Sequence, residues 1–71
     1  MSTETMPEYQ QRVIQERDAL VSKKTALDGF ITSEKFADVD ETEKRRMLHQ
    51  QTIMGEYVEI LNERINNFTN E

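Results

Sequence analysis

MLHQQTIMGEYVEILNERINNF, residues 47–68, is the stretch whose pattern decides how this chain folds. Met47, Gln51, Met54, Val58, Leu61, Ile65 and Phe68 recur at alternating steps of four and three. That spacing lines one face of an α-helix, and the segment holds no proline to interrupt it. A second apolar line, Ile53, Tyr57 and Ile60, lies roughly a quarter to a third of a turn from the first at about 100° per residue. A helix packed against one neighbour needs one stripe, so two stripes predict a helix with more than one neighbour.

Upstream of this helix, Asp40 followed by Glu43 has the form of a capping box, in which a short acidic side chain accepts from free amides of the first turn. The helix is therefore expected over residues 41–69. Residues 32–40, Thr-Ser-Glu-Lys-Phe-Ala-Asp-Val-Asp, lack the period and are rich in side chains that compete for backbone hydrogen bonds, which predicts a turn. Within it Ser33 is expected to cap a single helical turn reaching Phe36, and Phe36 with Val39 to plug the open end between two helices. Before the turn, Tyr9, Val13, Leu20, Leu27 and Ile31 recur at steps of four and seven, predicting a helix over 7–31 with Pro7 in its first turn. The first six residues have no period and read as a frayed tail. The expectation is one all-α domain over residues 7–71: a two-helix antiparallel hairpin of coiled-coil character.

At 71 residues the chain buries a small fraction of its surface, so a two-helix core is marginal by itself. With no cysteine and a single histidine, neither a disulfide nor a tetrahedral zinc site is available as a staple. Homo-oligomerisation is the remaining device, most simply a dimer of hairpins forming a four-helix bundle. The residues expected at that interface are Ile53, Tyr57 and Ile60, with Met54 and Phe68 beside them. Gly55, costly inside a helix relative to alanine, marks a candidate point of close backbone approach.

Fourteen acidic residues against nine basic ones give a formal charge of −5, which disfavours non-specific attachment to nucleic acid or an anionic bilayer. No apolar run approaches a membrane span, and the N-terminus has no secretory pattern. Catalytic chemistry has no purchase. His49 stands alone without a serine or cysteine nucleophile in reach on its helix, and Glu56, Glu59 and Glu63 form a solvated face. Neither glycine belongs to a phosphate-cradling loop. The reading is a non-enzymatic protein without a cofactor or metal. Lys44-Arg45-Arg46 reads as local neutralisation of the acidic turn.

Arg17 and Lys24 are less ordinary, because both interrupt the apolar stripe of the first helix. One resolution is snorkelling, with aliphatic stems packed and charges outside. The other is a ligand site lined by Tyr9, Arg12, Arg17 and Lys24, placed between protomers and suited to an anionic ligand.

The order Tyr9-Gln10-Gln11-Arg12-Val13, then Glu16, Leu20, Leu27, Phe30-Ile31, Phe36, an acidic turn, and Met54, Tyr57, Val58, Leu61 and Glu63-Arg64-Ile65 resembles a family of small tailed-phage proteins. That family is named after a crAss-like phage gene product. The chain is also similar to the short helical proteins of the lambdoid exo-xis early region, and more distantly to helical-hairpin phage proteins that sequester cyclic nucleotide signals as symmetric oligomers. The resemblance spans residues 8–68. It implies an early accessory protein acting in the host cytoplasm, without enzymatic activity; the doubled stripe of the second helix adds the expectation that it self-associates and binds or modulates a host or phage factor. Alternatives are an oligomeric sponge for a cyclic nucleotide signal and, disfavoured by charge, a nucleic-acid-associated regulator.

Overall fold

The computed structural model describes residues 6–68; the first five residues of the expected tail at 1–6, and residues 69–71 at the end of the expected domain, lie outside them. Two α-helices, α1 (Glu8–Ile31) and α2 (Glu41–Phe68), run antiparallel and are joined by a 3₁₀ turn, Glu34–Asp38. The described residues contain no strand, and the molecule is a rod of 48 × 17 × 15 Å. The all-helical hairpin is the architecture that the two apolar periods predict.

The seam between the helices keeps the three-four period of an antiparallel coiled coil. Its α1 side is Gln10, Val13, Arg17, Leu20, Lys24, Leu27 and Ile31 and its α2 side Lys44, Met47, Gln51, Met54, Val58, Leu61, Ile65 and Phe68, all partly or fully buried, with Gln11, Ile14, Asp28, Phe30, Gly55 and Asn62 half-buried beside them. Only Gln10, Val13 and Leu61 reach full burial among the described residues, and Leu61 alone is completely enclosed. The apolar reading of α1 placed Tyr9 on the stripe. Tyr9 instead stands 53 % exposed beside the seam, its ring edge-on to Phe68 at 6.0 Å, while Gln10 takes the buried place. Its amide donates to the Tyr9 hydroxyl at 3.2 Å, which satisfies one of the polar atoms that burial would otherwise penalise.

The helix ends show which local signals acted. Pro7 occupies the cap position just before α1, and its carbonyl accepts from the amides of Gln10 and Gln11 at 3.0 and 3.2 Å. At the other end of α1, Ser33 does not cap the 3₁₀ turn with its side chain, contrary to expectation. Its hydroxyl donates backwards to the Phe30 carbonyl at 2.6 Å, which also accepts from the Ser33 amide at 3.0 Å, so both groups serve the last turn of α1. Asp40 does cap α2, its carboxylate accepting from the Thr42 amide at 3.1 Å, but the reciprocal arm of the box is absent because Glu43 pairs with Arg46 at 3.0 Å. Phe36 packs edge-on to Phe30 at 6.3 Å, with the Lys44 ammonium 5.6 Å above its ring, and Val39 is half-buried. Those contacts close the turn end of the hairpin as a small aromatic plug.

Candidate functional site

Polar residues break the seam in its middle, and all of them open towards one flank. Arg17 donates to the Asn62 side chain at 2.8 Å across the helices and pairs with Asp18 at 2.8 Å. Two and three turns on, Lys24 pairs with Asp28 at 2.9 Å, and Asp28 accepts from the Gln51 amide at 2.6 Å. The Gln51 hydrogen bond, reinforced by Lys24, holds the Asp28 carboxyl below its ordinary pKa. Arg17 and Lys24 keep about a third of their side chains exposed, so their stems pack in the seam while their charges reach the flank.

Beside this polar segment runs an open cleft of about 520 Å³, lined by Val21, Lys24, Thr25 and Asp28 of α1 and by Thr52, Gly55, Glu56, Val58 and Glu59 of α2. Its volume lies within the range of small-molecule sites. Gly55 contributes to it directly: a Cβ there would meet the Lys24 Cε at 3.4 Å. The close approach anticipated at this glycine is thus made by a lysine stem and not by a backbone. The walls offer an ammonium and two hydroxyls as donors and three carboxylates as acceptors, a set that suits a ligand rich in hydroxyl and amide groups.

The four residues expected at a ligand site do not converge within one hairpin. Arg17 and Lys24 share the polar flank, but Tyr9 and Arg12 lie in the first turns of α1, about 20 Å along the helix from Lys24 at 1.5 Å per residue. There Arg12 pairs with Glu8 at 2.7 Å, both side chains well exposed. Sequence reasoning passed over Asp28, Gln51 and Asn62; a signal for Gln51 was present, since it interrupts the apolar stripe of α2 as Arg17 and Lys24 interrupt that of α1.

The opposite flank carries the second apolar line. Ile53, Tyr57 and Ile60 are 50, 41 and 53 % exposed, and the Tyr57 hydroxyl donates to the Glu16 carboxylate across the seam. That bond, with the charge of Glu16, pushes the Tyr57 pKa up. Met54 and Phe68, grouped with this line in the sequence, are half-buried in the intrachain seam. Among the described residues, no group of three or more histidine or acidic side chains could hold a metal ion, and no helix is long and apolar enough to cross a membrane.

The hairpin thus carries a polar cleft on one flank and an uncovered apolar line on the other. The chain belongs to the Sequestin family, whose model matches residues 7–67. It is also 42 % identical over 60 residues to an uncharacterized 7.5 kDa protein from the denB-rIIB intergenic region of Enterobacteria phage T4, covering 84 % of this chain and 94 % of that one. No solved structure matches it. The chain is therefore a small phage protein of the Sequestin family, in agreement with the phage resemblance at that level.

Proposed function

We propose that this protein is a non-enzymatic, self-associating binder that sequesters a small polar ligand of the nucleotide class in the host cytoplasm during infection. The observation that carries the reading is the polar interruption of the seam by Arg17, Lys24 and Gln51 beside the cleft. Local rules of packing would favour apolar residues at those positions, and departures from such rules concentrate at functional sites. In the cleft, Asp28, Glu56 and Glu59 suit the hydroxyls and amino groups of a nucleoside, and Lys24 with Arg17 two turns away suits its phosphates. The name of the family is consistent with capture rather than turnover.

The test is isothermal calorimetry against a panel of linear and cyclic nucleotides. A saturable, stoichiometric uptake is expected, with the ligand recovered unaltered after the protein is denatured and with binding weakened at least tenfold in Lys24→Ala. Chemical conversion of the ligand, or undiminished affinity in Lys24→Ala, would sink the assignment. A second reading, capture of a host or phage protein, is favoured by one observation, the exposed Ile53–Tyr57–Ile60 line, and predicts that Ile53→Glu/Ile60→Glu abolishes biological effect while leaving nucleotide binding intact.

A further inference from the structure

We propose that the Ile53–Tyr57–Ile60 face is covered by a second copy of this chain, related by a two-fold axis running parallel to the helices, so that α2 of each copy packs on α1 of the other. The proposal deepens the self-association in the reading above and rests on it for nothing else.

The uncovered apolar line defines one side of the hairpin, and the Tyr57–Glu16 bond shows which side of α1 belongs to it. Three residues beyond Glu16 and beyond Lys23, α1 presents Ala19 and Ala26 on that side, both exposed. Ala19 and Ala26 are one heptad apart, as are Ile53 and Ile60, so large side chains on one helix match small ones on the other in period.

Height along the rod settles the pairing. Arg17 meets Asn62, Lys24 lies against Gly55, and Asp28 meets Gln51, so residues whose numbers share that relation stand level across the seam. By the same relation Ala19 stands level with Ile60, and Ala26 with Ile53. A two-fold axis along the helices preserves height and exchanges the helices. It therefore seats Ile60 on the partner's Ala19 and Ile53 on the partner's Ala26, four contacts per dimer by symmetry. The alternative axis, perpendicular to the rod, would set isoleucines on isoleucines and alanines on alanines, crowding one side of the bundle and leaving the other hollow.

Charge agrees with the first arrangement. Lys23 and Glu56 make no hydrogen bond or ion pair within the hairpin, and the parallel axis brings Lys23 level with Glu56 of the partner subunit. Each helix then has two antiparallel neighbours, the arrangement of a four-helix bundle.

The chain has no cysteine, so single cysteines report proximity cleanly. Mixing Ala26→Cys with Ile53→Cys under mild oxidation should give a disulfide-linked heterodimer as the main product, whereas mixing Ile53→Cys with Ile60→Cys should not. Dominant linkage in the second mixture would overturn the axis, and a monomer by sedimentation of the unmodified protein at tens of micromolar would overturn the dimer. Lys23→Glu and Glu56→Lys, which lie outside the intrachain seam, should each weaken dimerisation about tenfold and restore it when combined in one chain. Persistent weakness of that double variant, with helicity intact, also counts against the arrangement. None of these measurements involves a ligand, so they stand or fall apart from nucleotide binding.

Discussion

Single residues carry the electrostatic consequences of this fold. The Tyr57 phenol is bound to the Glu16 carboxylate, and ionising it would place two anions in contact, so its pKa in the folded hairpin lies above the ordinary value of about 10. A folded-state value raised above the unfolded one means that the stabilisation is complete below the unfolded pKa. It is lost as pH rises through the folded pKa. The phenolate absorbance of the wild type minus that of Tyr57→Phe should therefore titrate above pH 10, and Glu16→Gln should bring the midpoint down; titration of Tyr57 at its ordinary value in the wild type would contradict the bond. Asp28 runs the other way. Its lowered pKa contributes stability above the unfolded value of about 3.9, lost as pH falls through the folded one, so Asp28→Asn should blunt the loss of thermal stability below about pH 4. Both effects belong to exposed groups and are modest in size.

At the scale of elements, the helices and their starting signals were legible because they rest on period and on local hydrogen bonding. The stripe from Met47 to Phe68 is the α2 side of the seam, and Asp40 caps α2 as its position before the stripe implies. The seam of α1 was less legible. Three of its seven positions, Gln10, Arg17 and Lys24, are polar, so a search for apolar periodicity drifts to Tyr9 at the first turn. Ser33 was misread because its hydroxyl can serve the helix behind it as readily as the turn ahead, and sequence order does not rank the two. The cleft was invisible for a different reason: its carboxylates and hydroxyls come from two helices whose register the α1 pattern leaves open. Gly55 joins these themes. With only the flexible Lys24 stem nearby, Gly55→Ala should stabilise the hairpin by about 1 kcal/mol through helix propensity, as should Gly29→Ala, where a Cβ meets nothing within 4 Å. Chemical denaturation measures both. If Gly55→Ala gains that stability yet loses nucleotide binding while Gly29→Ala keeps it, the glycine is retained for the cleft and not for the helix.

The molecule as a whole is a thin rod with a small core. Its radius of gyration is 15.8 Å, against roughly 11 Å for a globular domain of this length, and only three described side chains are fully buried. Truncating Leu61, the one completely enclosed side chain among the described residues, to alanine removes about 2–5 kcal/mol, comparable to the whole stability of a domain this small. In the dimer proposed above, burial of the Ile53–Tyr57–Ile60 face would add to the stability of the seam, and mass action would make that contribution depend on concentration. A hundredfold dilution of a two-state folded dimer costs about 2.7 kcal/mol, and the unfolding entropy of two chains of this length converts that into a fall in Tm of roughly 10 °C. Melting followed by circular dichroism at one and one hundred micromolar should show that shift. A Tm independent of concentration would mean that the single hairpin sustains itself, leaving its apolar flank for another protein. In Ile53→Glu/Ile60→Glu the dependence should vanish and the Tm should fall to that of the single hairpin, because those two side chains lie on the flank, about half exposed, and outside the seam positions.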